Sequence, residues 1–90
     1  MVMMNVHDAK PAIADFLEET FLFSFKDNNV SDNENLFEAG YIDSYGLVQL
    51  IVFLEEAFSI SVPQDMMSSP KLASLSGIVA LVQERLPVER

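Results

Sequence analysis

With 90 residues and 10.1 kDa, the chain suffices for one small domain. Its 14 acidic side chains against 5 Lys and Arg leave a formal charge of −9, which speaks against nucleic acid as a partner, because binding phosphates draws on Lys and Arg. The absence of cysteine excludes disulfides, thiolate metal centres and a cysteine nucleophile.

The first predicted helix runs from about Asp8 to Ser24. Ile13, Phe16, Leu17, Phe21 and Leu22 recur at helical spacing, with Asp15, Glu18 and Glu19 between them. Asp8 is its expected cap, and Pro11 is tolerated in its first turn. His7 lies before that helix and reads as a residue of a flexible end, not a general base. From Phe25 to Asp43 the chain is rich in Asp, Asn and Ser, which favour turns. This is a long connection, pinned to the core by Leu36, Phe37 and Ile42.

The strongest helix is predicted over Ser44 to Phe58, with Asp43 as its N-cap. Leu47, Leu50, Ile51, Leu54 and Phe58 form its apolar stripe, and Val48, Val52 and Phe53 extend it. An extended link, Ser59 to Val62, leads to a single helical turn over Pro63 to Met67, which Pro70 ends. The last helix spans about Ala73 to Leu86, with Leu75, Ile78, Val79, Val82 and Leu86 on one face. Gly77 weakens it modestly. No strand alternation is present. Leu, Ile, Val and Phe make up 31 of the 90 residues, enough to build a core despite the charge. The expected fold is all-α, a small four-helix bundle of three longer helices and one short one, with the long loop between helices 1 and 2. It forms a single domain over 1–90, with flexible ends at 1–7 and 87–90.

Met1 to Val6 is too short for a secretory leader and has no basic stretch before it. The apolar run Leu47 to Leu54 falls far short of the roughly 20 residues that span a bilayer. A cytoplasmic monomer that does not insert into membranes is therefore expected.

Charge is distributed unevenly. Between Lys26 and Lys71 there are eight acids and no basic residue. Such a run is commonly a solvated face. Next to the apolar Val48 and Val52, it also suits docking to Arg/Lys patches on partner proteins.

The residues of greatest chemical interest are Asp43 and Ser44. A serine at the mouth of a strong helix has its hydroxyl where unpaired N–H groups and the helix dipole favour an anion such as a phosphodiester. Asp43 beside it is placed to help hold a divalent cation supplied by a modifying enzyme. A bare Asp-Ser pair is more commonly just a cap, so the context decides. Leu36-Phe-Glu-Ala-Gly40-Tyr-Ile42-Asp43-Ser44 is followed by Leu47, Val48, Leu50 and Leu54, then Glu55-Glu56-x-Phe58, Ile60 and Val62-Pro63. This pattern resembles the acyl carrier protein family over roughly Leu36 to Leu86.

The resemblance implies a four-helix fold and a 4′-phosphopantetheine arm on Ser44. It also implies a partner-recognition helix on which Glu55, Glu56 and Val52 match family positions; Tyr45 and Val48 join them as partner-facing candidates. Tyr45 departs from the family's usual Leu, and Gly46 and Gln49 replace acids of many fatty-acid carriers. Asp43 to Leu50 is more similar to D-alanyl carrier proteins. The implied function is to shuttle an acyl or aminoacyl group as a thioester, with no catalysis by the chain itself. Fatty-acyl, polyketide and aminoacyl cargoes all remain open. The implied partners are a phosphopantetheinyl transferase bringing its own base and Mg²⁺, an acyl-loading or adenylating enzyme, and a downstream acyltransferase or ketosynthase with a basic surface. The alternative is a non-catalytic acidic interaction module in which Ser44 is only a helix cap.

Other patterns fail. A G-x-S-x-G nucleophile elbow needs glycine where Ile42 stands. Asp27, Asn29, Ser31 and Glu38 mimic a calcium loop, but Asp32 occupies the position of its required glycine. No metal site is expected. Met66 and Met67 suit adaptable packing.

Overall fold

The computed structural model describes the backbone of residues 6–85 and the side chains of residues 9–85. Three α-helices, α1 (Val6–Phe21), α2 (Ser44–Phe58) and α3 (Leu75–Arg85), enclose the core, and no strand occurs among the described residues. α1 buries Ala9, Ile13 and Leu17 at four-residue intervals. α2 buries Leu50, Ile51, Leu54 and Phe58. α3 buries Leu75, Ile78, Leu81 and Val82.

The fold class is all-helical as expected, but the short fourth helix is replaced by two 3-10 turns. The first spans Gln64–Ser68 and the second Pro70–Ala73. Their ladders are i→i+3: Met66 N–H donates to Pro63 O at 2.9 Å, Ser69 N–H to Met66 O at 2.9 Å, and Leu72 N–H to Ser69 O at 3.1 Å. Pro63 precedes the first turn instead of opening it. Pro70 opens the second turn, because its fixed φ and missing N–H suit a first position.

α1 begins at Val6, two residues before the expected Asp8 cap, so His7 and Asp8 belong to the helix. Pro11 consequently sits inside the helix and not in its first turn. Of the expected flexible ends, 87–90 and 1–5 lie outside the described residues, as does Leu86. Leu22, expected in the apolar stripe of α1, is 88% exposed. On α3 it is Leu81, not Val79, that is fully buried.

α1 and α2 end in the same way. Leu22 (φ 59°) and Ser59 (φ 56°) each take the left-handed conformation that stops the helix. In each case the glutamate four residues earlier reaches past the stop. Glu18 Oε2 accepts from Phe25 N–H at 2.8 Å, and Glu55 Oε2 from Val62 N–H at 2.9 Å. A left-handed conformation costs a side-chain-bearing residue about 1–2 kcal/mol, and the exposed Leu22 gains no packing in return. Leu22→Gly is expected to raise stability by about 0.5–1 kcal/mol, less the extra chain entropy of glycine. Urea unfolding measures this; an unchanged or lower midpoint refutes it.

The long loop is ordered by anchors. Leu36 and Ile42 are buried as expected, Val30 joins them, and Phe37 is half-buried. Leu36 N–H donates to Ala73 O at 2.6 Å, and Ser76 N–H donates to Asp32 O at 2.9 Å. The loop is thereby tied to the second 3-10 turn and to the start of α3. Lys10 pairs with Asp32 and Lys71 with Glu84, both at exposed positions where ion pairs add little stability. Gly77 lets α3 meet the second 3-10 turn closely: a Cβ there would lie 2.2 Å from Lys71 O.

Candidate functional site

The segment leading into α2 is built to hold its first turn still. The Leu36 carbonyl accepts from both Tyr41 N–H (2.9 Å) and Ile42 N–H (3.2 Å). Gly40, at φ +87°, makes the turn that this requires. Ile42 is then buried, and Tyr41 stacks on Phe23 with ring centroids 4.4 Å apart. Four residues beyond Ile42, Gly46 is buried against the Phe21 ring; a Cβ on Gly46 would lie 2.4 Å from Phe21 Cε1. Between these two anchors, Asp43, Ser44 and Tyr45 are exposed.

α2 spans the expected residues, Ser44–Phe58, and its cap is the expected Asp43. Asp43 Oδ1 accepts from Gly46 N–H at 2.8 Å, and Asp43 O accepts from Leu47 N–H at 2.9 Å. The capping oxygen therefore belongs to Asp43, and Ser44 is exposed beside it as the first residue of the helix. This removes the premise of the alternative in which Ser44 serves as a cap. A hydroxyl in that place meets the positive end of the α2 dipole. An exposed oxygen and a rigid backbone suit a covalently attached phosphodiester, since attachment there displaces no packed side chain.

The other expected site residues separate into two groups. Tyr45, Val48 and Val52, at 73%, 48% and 47% exposure, share the outer face of α2 with exposed Glu56. With Phe16 and Thr20 of α1, and Gln49 and Phe53, they line a groove of about 450 Å³. Phe16 and Phe53 stack in it with centroids 4.2 Å apart. Glu55, by contrast, is half-buried and holds Val62 N–H. It fastens the link after α2, a role that the two adjacent glutamates did not reveal in the sequence. Glu55→Ala is expected to lower stability by about 1–2 kcal/mol by leaving that N–H unpaired, while Glu56→Ala stays within about 0.5 kcal/mol of wild type. Equal thermal midpoints for the two variants contradict this division.

Phe21, Phe16 and Thr20 were not expected as site residues. The available signal was Gly46 itself: a glycine inside an otherwise strong helix marks a close approach. Its partner on α1 emerges only from the packing.

Residues 12–79 match the family model described as "Phosphopantetheine attachment site". The chain is 38% identical over 81 residues to a D-alanyl carrier protein of Streptococcus suis, covering 83% of this chain and 96% of that protein. It is 45% identical over 58 residues to a D-alanyl carrier protein of Streptococcus sanguinis, covering 62% and 67% respectively. A Streptococcus thermophilus relative of the same name is 43% identical over 58 residues. No helix among the described residues is long and apolar enough to cross a membrane. A capped helix start with an exposed serine, a matching attachment-site model and relatives named as carriers agree: this chain belongs to the acyl-carrier-like, phosphopantetheine-binding family, whose members are non-catalytic and hold 4′-phosphopantetheine covalently.

Proposed function

We propose that Ser44 is the attachment serine and that the whole chain acts as one carrier domain. It takes a D-alanyl or closely related aminoacyl group from an adenylating enzyme and presents it to a downstream acyltransferase. The observation that carries this reading is the exposed Ser44 at the start of α2, with the adjacent Asp43 carboxylate occupied in capping. A phosphopantetheinyl transferase modifies that hydroxyl. When bound, the group supplies the thiol that a cysteine-free chain lacks. The chain's own residues hold the attachment point rigid and present the partner-facing side of α2. Tethering then raises the effective concentration of cargo at each enzyme.

The D-alanyl choice over fatty-acyl cargo is supported by the names of the relatives and by Gly46 and Gln49 in place of acids. A side chain at Gly46 would meet the Phe21 ring, so an acid there requires that ring to turn out of the α1–α2 contact. The test is intact mass. The modified chain, given an adenylating enzyme, ATP and D-alanine, should gain one alanyl group. Loading with medium-chain fatty acids alone, under matched fatty-acid ligases, overturns the cargo assignment.

A further inference from the structure

Ser44 is flanked on both sides by contacts from the end of α1. After it, Gly46 is buried so close to the Phe21 ring that a Cβ there would meet Phe21 Cε1 and Cζ. Before it, Tyr41 stacks on Phe23, with ring centroids 4.4 Å apart and planes 23° apart. Between these contacts Asp43, Ser44 and Tyr45 are exposed.

Two rings from adjoining positions reach one short segment because of the residue between them. Leu22 (φ 59°) reverses the chain in the left-handed conformation and is itself exposed. Phe21 closes α1, and Phe23 follows the reversal. Glu18 braces it twice: its carbonyl accepts from Phe23 N–H at 3.3 Å and its carboxylate from Phe25 N–H at 2.8 Å. Each ring is backed by a second one. Phe25 lies 4.9 Å from Phe23, and Phe16 meets Phe21 edge-on at 6.4 Å.

Resting on the assignment of Ser44 as the attachment serine, we propose that Phe21 and Phe23 are positioning residues for its modification. Neither touches the reacting atoms. Phe21 fixes the first turn of α2, and Phe23 fixes the segment that enters it. Gly46 is the seat of this grip, since a side chain there pushes the Phe21 ring aside. In the reaction a Ser44 Oγ–phosphorus bond forms and the phosphoanhydride P–O bond of coenzyme A breaks. Adenosine 3′,5′-bisphosphate leaves, and the Ser44 proton passes to the transferase's base. Such an in-line exchange depends on placement: a shift of about 1 Å costs up to about 100-fold in rate.

The test is steady-state modification by a phosphopantetheinyl transferase with coenzyme A, read by intact mass. Phe21→Ala and Phe23→Ala should each lower kcat about tenfold and leave KM for the chain within about twofold. Destabilisation alone gives the opposite split: it lowers the folded fraction, which raises KM and leaves kcat unchanged. Ile78→Val, a loss of packing inside α3, should keep kcat within about twofold of wild type. Gly46→Ala should lower kcat, and adding Phe21→Leu should restore part of it, because leucine lacks the two atoms that the new methyl group meets. Circular dichroism checks folding. Hydrogen exchange of Gly46 N–H, the donor to Asp43, tests the grip without any modification. It should quicken about tenfold in Phe21→Ala and by less than about twofold in Ile78→Val. A wild type left unmodified refutes the assignment of Ser44, and the exchange rates then decide the grip by themselves. Unchanged kcat in both phenylalanine variants, a rise in KM alone, no rescue of Gly46→Ala by Phe21→Leu, or equal exchange in Phe21→Ala and Ile78→Val each overturn the inference.

Discussion

Incubated with coenzyme A and a phosphopantetheinyl transferase, the wild-type chain is expected to gain one phosphopantetheinyl group, and Ser44→Ala none. The measurement is intact mass. The structure adds a second expectation that separates an attachment role from a structural one. Replacing a helix-capping serine by alanine costs about 1 kcal/mol. Here the cap is Asp43, whose carboxylate accepts from Gly46 N–H at 2.8 Å, and Ser44 is exposed. Ser44→Ala should therefore keep wild-type stability within about 0.5 kcal/mol, because alanine is a good first-turn residue. Asp43→Ala should show the reverse pattern, losing about 1–2 kcal/mol of stability while keeping the hydroxyl. Its modification should slow, because the turn that presents Ser44 loses its cap. Modification of Ser44→Ala, or a wild type left unmodified by several transferases, refutes the assignment of Ser44.

Gly77→Ala is expected to destabilise the fold by about 3 kcal/mol, where helix propensity alone predicts a gain of about 1 kcal/mol. The sign reverses because the new methyl group meets backbone. Its nearest neighbours would be Lys71 O at 2.2 Å, Lys71 Cα at 2.8 Å and Lys71 C at 2.9 Å. A side chain would rotate away from such a contact; a peptide unit moves only if the second 3-10 turn moves with it. That turn holds Leu36 N–H through Ala73 O, and the neighbouring start of α3 holds Asp32 O through Ser76 N–H. Displacing it therefore loosens the long loop as well. Against a typical total stability of about 5–15 kcal/mol, the loss should be plain in a urea titration. A Gly77→Ala chain as stable as wild type shows that α3 and the second 3-10 turn do not approach so closely. Gly46→Ala is a milder case, because the Phe21 ring that it would meet is half-buried and can turn.

Much of the helical layout was legible in the chain. α2 spans Ser44–Phe58, as its apolar spacing and the Asp43 cap predict, because a strong stripe and a strong cap agree on the same boundary. α1 was less legible at both ends. Its start lies before Asp8, and its stripe overshoots, since Leu22 continues the apolar spacing yet adopts a left-handed conformation and points to solvent. For the region after Pro63 the sequence predicts a single turn ended by Pro70. A proline marks a boundary equally well by stopping one turn or starting the next, and here Pro70 starts one.

Residue order and type by themselves determined the helical class, the Asp43–Ser44 start of α2 and the acidic, partly apolar outer face of that helix. These are local properties, set by spacing, capping chemistry and charge within a few residues. Only the tertiary structure decided which of two adjacent glutamates is structural, since half-buried Glu55 reaches Val62 N–H while exposed Glu56 lines the groove. It likewise decided that both Gly46 and Gly77 are places of contact, and that α1 supplies Phe16 and Thr20 to a groove beside α2. Those facts depend on distances between residues far apart in the chain, and no local pattern encodes such a distance.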